Sequence, residues 1–565
     1  MTLDGFLSFL ALFIAFYAIV SPVTRLRAQL HLGVQIPLAL LAITLVFYFE
    51  FFSLVSQPCR LPSTEACAWL VFPKDGSFTP PQAAFLVVFV WIILAWGLNV
   101  LLRPGPRSLA AVGKIVQTLL YERRFSELLD FIRPHLGLIE AVAERQLLRQ
   151  KVHDWLADTN WLRRQQIRTF KPVVSNENEP KQPRAGRGKR LYEAFRRRIR
   201  WTKHLVPAGR KAQANAETVV RMLLRSEEFR KFLVTMRPDA LPDLMAIKLQ
   251  PRFDFSDKAL RDLIADSGSR LYQEIEQNQN LSDKGGYAIP EENVLLRSLF
   301  GDAEVAHKLG AWKPIGDAVI NTIRAGAASG YAAYLNDRAD NFDDERWRDI
   351  VFVGTRYFDI MVNEAMRQGV PYHMWLFYLP LFVTELEGIY DTSGQNIDAM
   401  DEFPTRNARL MYEAFDVMGN WVRNIKHLAP SSPHTAISDM GVSSSGAIPA
   451  DAAVALGNAM VTVALSDRIG DTFAGYLHDC ILRDLAALSH EGLEGRTRSL
   501  LIRTVVVGGN RHPDARYRQR LKTFLAMADH VLRESVKDYV AAVEDNHSRN
   551  LVRKGGAVRG SRTES

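Results

Sequence analysis

The chain has 565 residues, a formal net charge of +8 and 47% hydrophobic residues. It is too long for one ordinary core and too apolar for a disordered polymer, so two or three folded units are expected. The charge is uneven: residues 1–102 are neutral, 181–211 set twelve basic residues against Glu193 alone, the tail 549–565 sets five against Glu564, and the remainder is mildly acidic. This pattern excludes a generally sticky basic surface and points to a specific polyanionic partner.

The first 102 residues read as a membrane anchor with three transmembrane helices, at about 6–23, 33–52 and 83–102. Phe6–Val20, Gly33–Phe49 and Ala83–Leu102 are uncharged, and a bilayer core needs about 20 apolar residues as helix. The opening MTLDG has Asp4 and no Lys or Arg. A cleaved leader needs a positive start, so the first span is expected to be retained. Arg25 and Arg27 follow the first span, and Arg103, Arg107 and Lys114 follow the third. The positive-inside rule then puts the N-terminus outside and the long C-terminal part in the cytoplasm of a bacterial-type inner (plasma) membrane. Cys59 and Cys67 fall in the predicted external loop, where a disulfide is expected. Aromatic residues from Phe47 to Phe52, with Trp69, crowd the same side as an interfacial belt would.

Residues 103–172 are expected to form a juxtamembrane helical region. The stretch SLAAVGKIVQTLLYERRFSELLDFI (108–132) has helical periodicity, and Pro134 ends or kinks it. Residues 173–189 are polar, with Gly and Pro, and read as a linker. Residues 173–211 together form a basic linker and amphipathic helix. Projected at 3.6 residues per turn, Leu191, Tyr192, Phe195 and Ile199 cluster on one side, flanked by Trp201 and Leu205. Arg196, Arg197, Arg200 and Lys203 take the other side, and Arg198 must snorkel outward. Three readings compete. The favoured one is an interfacial helix on anionic lipid, with Lys189, Arg190, Arg196, Arg197, Arg198, Arg200 and Lys203 as lipid contacts and Phe195, Ile199 and Trp201 inserted. The second is a helix packed on the acidic body, and nucleic-acid binding ranks third.

Residues 212–548 are expected to be a cytosolic helical domain, and 549–565 a disordered basic tail. Helix starts are expected at Ser256–Asp257 and at Pro290 with Glu291 and Glu292. The stretch from Asp343 is expected to end at Gly369 as a helix should, with Asp343, Asp344 and Glu345 at its N-terminus. MWLFYLPLFV (374–383) is too short to span a bilayer and reads as a core helix. Residues 427–451, rich in Ser, Gly and Pro, read as a long loop. The fold class is all-α: N-terminal transmembrane helices, then a large soluble helical bundle or solenoid-like region.

Catalytic signatures are missing from the sequence. AAVGKIV lacks the glycine loop of a nucleotide-binding motif, SHEGLEG lacks a second His, GVSSSG has its serines in the wrong frame, and no C-x-x-C occurs. His478 and Cys480 lie two apart and do not face each other on a helix, so Cys480 reads as structural. No cofactor or metal is implied. The function that fits best is a non-enzymatic integral membrane protein whose cytosolic helical domain binds a partner or senses a signal. The expected partners are the lipid bilayer, anionic lipid, and a protein or a second copy of the chain. An oligomeric pore-forming or membrane-disrupting effector, of antiviral defence by analogy of architecture, is one alternative. A hydrolase or nuclease with a site assembled from distant residues is another.

Overall fold

The computed structural model describes residues 32–50, 80–101, 106, 108–144, 209–249, 251–279 and 285–544, except 341, 372, 395–396, 399, 438–445 and 512. Regular structure among them is helical, without strands. The chain divides into two compact units. One runs to residue 229 and includes 247–251; the other holds 230–246 and the residues from 252 onward. Helices of eight residues or more are numbered here.

The first unit contains α1 (Leu32–Glu50), α2 (Pro80–Leu101), α3 (Leu109–Tyr121), α4 (Phe125–Ile132), α5 (Leu136–Ala143) and α6 (Arg210–Arg225). Helices α1 and α2 pack on each other through Ala42, Val46, Ala84 and Val88. Their other faces leave Leu40, Leu41, Phe47, Phe85, Phe89 and Ile93 exposed. Helix α6 packs against α3 and α5, burying Val219, Val220 and Leu223 with Val112, Val116, Ile139 and Val142. The stretch 108–132 is two helices, not one. Arg123 adopts φ +58, and the backbone N–H of Arg124 closes on the Leu119 carbonyl at 3.0 Å, a helix-ending turn. A seventh helix, α7 (Glu227–Met236), straddles the division.

The second unit contains α8 (Pro251–Ala265), α9 (Arg270–Gln277), α10 (Trp312–Arg324), α11 (Ile350–Gln368), α12 (Tyr378–Gly388), α13 (Arg406–Arg423), α14 (Ile448–Leu465), α15 (Asp471–Ala486), α16 (Gly492–Val507), α17 (Ala515–Met527) and α18 (Lys537–Glu544). Helix α14 is its axis and contacts α12, α13, α15, α16 and α17. An apolar surface all round requires neighbours all round. The closest approach is to α16. A Cβ on Gly457 would meet the Thr504 carbonyl oxygen at 2.6 Å and the Gly509 nitrogen at 2.8 Å. Helix α16 ends there because Gly508 and Gly509 take φ +75 and +60.

Two polar ties cross this apolar interior. Asp359 of α11 accepts from Tyr287 Oη (2.5 Å), Asn363 Nδ2 (2.8 Å) and Trp421 Nε1 of α13 (3.1 Å), and lies 3.3 Å from Arg356. Burial pushes its carboxyl up, while Arg356, Tyr287 and Trp421 pull it back. Arg498 of α16 is 2% exposed. It donates Nε and Nη2 to the two oxygens of Asp538 in α18 at 2.7 and 2.6 Å, and Nη1 to the Leu485 carbonyl.

Several expectations shift by a turn. Helix α8 starts at Pro251, so Ser256 and Asp257 lie inside it; Pro at the first position and Asp254 in the first turn supply the start. Pro290–Glu292 form a turn, and the helix beyond them starts at Val294 behind Asn293. The helix expected from Asp343 is interrupted. Asp343–Glu345 do occupy the first turn of a short helix, and α11 then starts afresh behind Asp349. It ends at Gly369 as expected, with φ +73. Residues 374–383 form a 3-10 turn and the start of α12, with Leu376, Leu379, Phe382 and Val383 fully buried, as a core segment should be.

The expected spans at 6–23, 33–52 and 83–102 are met unevenly. Residues 6–23 lie outside the described residues, and α1 and α2 fall on the other two. Among the described residues one helix is long and apolar enough to cross a membrane, α14, and 83% of it is buried in the body. The apolar runs with described side chains in α1 and α2 are shorter, Gln35–Phe49 and Gln82–Ala95. The fold therefore carries the all-α class but not the N-terminal transmembrane assignment.

The α14–α16 crossing makes a test. Gly457→Ala is expected to lower the unfolding free energy by about 1–3 kcal/mol, because backbone atoms must move. Gly388→Ala, whose added methyl meets nothing within 4 Å, is expected to be neutral or slightly stabilising in the same urea titration. Equal losses in both variants would contradict the close approach.

Candidate functional site

The sequence-predicted site residues Lys189, Arg190, Phe195, Arg196, Arg197, Arg198, Ile199, Arg200, Trp201 and Lys203 all lie outside the described residues, as do Cys59 and Cys67. The described part holds one free cysteine, Cys480, which is buried. Burial pushes its thiol up to about 12, which leaves it a poor nucleophile. Its neighbour His478 bonds Tyr539 Oη at 2.9 Å instead.

A pocket of about 580 Å³ opens in the second unit around the start of α11. Tyr272 comes from α9, Thr322 from α10, Tyr331 and Tyr334 from a short helix (Tyr331–Leu335), and Glu345, Arg348 and Asp349 from the approach to α11. Asp349 organises it. One carboxylate oxygen caps α11 by accepting from the N–H groups of Val351 (2.9 Å) and Phe352 (3.0 Å). The other accepts from Tyr331 Oη at 2.7 Å. Burial pushes the Asp349 carboxyl up, against the pull of these donors.

The phenols are held neutral. Burial raises Tyr331 and Tyr272, helped by the Asp349 charge, and pushes Tyr334 up to about 12. Tyr272 Oη donates to the Ile264 carbonyl at 2.8 Å. Tyr331 and Tyr334 stack with ring centroids 6.0 Å apart. The Arg406 guanidinium lies 4.5 Å from the Tyr334 ring centroid and reaches Asp337 at 3.2 Å and Glu345 at 3.5 Å.

Sequence reasoning missed this site. One part of it was readable: Asp349 directly before the apolar run IVFV is a helix-cap signal. Tyr331 and Tyr334 share one short helix, but Tyr272 and Asp349 come from other elements, and no spacing rule joins them to it.

A second polar cluster sits at the start of α14. His373 Nε2 pairs with Asp451 Oδ2 at 2.8 Å. His434 Nδ1 accepts from the Ile448 N–H at 3.3 Å, which fixes a neutral imidazole protonated on Nε2. Burial and the nearby His373 lower His434 to about 4. The described residues hold no group of three or more His, Cys, Asp or Glu arranged for a metal. This cluster pins the segments before α12 and α14 to each other. No protein-family model, curated protein or solved structure matches the chain.

His478 supplies a pH test. Burial lowers it from 6.5 to about 3. Between those values the unfolded imidazole binds a proton and the folded one does not, so acid favours unfolding. The stability advantage of the natural chain over His478→Phe is expected to shrink as pH falls from 7 to about 4. Parallel stability curves for the two proteins across that window would contradict a buried neutral imidazole.

Proposed function

We propose that this chain is an integral membrane protein whose helical body, carrying the tyrosine pocket, works as a ligand- or partner-sensing module at the cytoplasmic face of an inner membrane. The observation that carries the reading is the α1–α2 pair. Ala42, Val46, Ala84 and Val88 are buried across it, while the large apolar side chains Leu40, Phe47, Phe85 and Phe89 are 52–59% exposed. Water opposes so much exposed apolar surface, whereas lipid accepts it and small residues let the helices approach. Nineteen and 22 residues reach about 28 and 33 Å at helical rise, close to the bilayer core. In the sequence, Arg25 and Arg27 follow the first apolar stretch and Arg103, Arg107 and Lys114 follow the third, which favours the same side with three crossings. The basic stretch 181–211 would then be tethered near anionic lipid, each cation adding about 1 kcal/mol.

Membranes from cells expressing the full chain test this reading. The protein is expected to remain in the pellet after alkaline carbonate, and a protease site placed after Leu102 is expected to be cut only once the membrane is breached. Release by carbonate, or cleavage from outside intact cells, would overturn it.

A further inference from the structure

We propose that the tyrosine-lined pocket at the start of α11 binds an organic cation, with an ammonium or guanidinium group seated among Tyr272, Tyr331, Tyr334, Glu345 and Asp349. The inference rests on the sensing reading of the body and names its ligand class. Four observations converge on it.

The volume, about 580 Å³, suits a small molecule. The walls are rich in aromatic rings, whose faces attract cations. Tyr334 already shows that preference by carrying the Arg406 guanidinium at 4.5 Å. The hydroxyl protons of Tyr272 and Tyr331 are committed to the Ile264 carbonyl and to Asp349. Their oxygens are left as acceptors, which suits a ligand that donates N–H groups. The described lining holds two carboxylates, Glu345 and Asp349, and one guanidinium, the exposed Arg348, and Arg406 stands 3.5 Å from Glu345. These charges balance, so an anionic ligand gains no net attraction there, while the aromatic faces favour a cation.

The internal ties explain why the pocket is shaped before any ligand arrives. Asp349 is fixed by three donors, and Tyr331 is fixed by Asp349. A preorganised site loses little ordering entropy on binding.

Equilibrium binding to the full chain in detergent, with choline and L-arginine as probes and L-glutamate as the anionic control, tests the proposal. At least one of the two cations is expected to bind saturably at one site per chain, and glutamate is not. Tyr334→Leu and Glu345→Gln are each expected to weaken binding roughly three- to tenfold. Tyr334→Phe keeps the ring and loses only a 3.4 Å contact to Glu345, so it is expected to bind like the natural protein. Thermal unfolding of each variant without ligand reports whether it is folded. Absence of saturable binding by both cations overturns the proposal, and so does binding that folded Tyr334→Leu and Glu345→Gln leave unchanged. Carbonate extraction is read separately. A chain that stays in the membrane but binds neither cation loses only the ligand class, and one that binds a cation but washes off loses only the anchor.

Discussion

The second unit depends on one close contact, the crossing of α14 and α16 at Gly457. Helix α14 has almost no polar face, so it cannot lie on a surface; it must be enclosed. Enclosure needs neighbours at different distances, and the nearest approaches backbone to backbone where a hydrogen replaces a side chain. Once α14 is held, α12, α13, α15 and α17 fill the remaining sides. Helix α13 in turn brings Trp421 to Asp359 on α11, and α11 carries the pocket at its start. The chain of dependence thus runs from an apolar axis, through one buried carboxylate, to the site.

Much of this architecture could be read from periodicity and punctuation. Gly369 ends α11 as a left-handed glycine should, and the apolar run around Pro380 is core. Misreadings came where local signals competed. Ser256–Asp257 looks like a start, yet Pro251 opens the helix one turn sooner. Arg123 breaks a periodic stretch through its own backbone conformation, which no side-chain pattern announces. Helix α16 contains LLIRTVVV, rich in branched residues that favour strands; packing on α14 overrides that preference.

The site was less legible than the fold for a physical reason. Helices report themselves through neighbours three and four residues apart. A pocket joins groups from elements far apart in sequence, here from Tyr272 to Asp349. The conspicuous sequence feature, the run of arginines near Arg197, concerns residues outside those described.

The buried guanidinium of Arg498 has a consequence for how the protein is made. Its counter-charge, Asp538, arrives 40 residues later in the chain. Until then an emerging polypeptide holds an uncompensated cation where the packed interior must form, and closing around it is costly. The body can therefore settle only when α18, which carries Asp538, has left the ribosome. Prematurely terminated products would retain an open, sticky interior, the kind of surface that chaperones and proteases recognise.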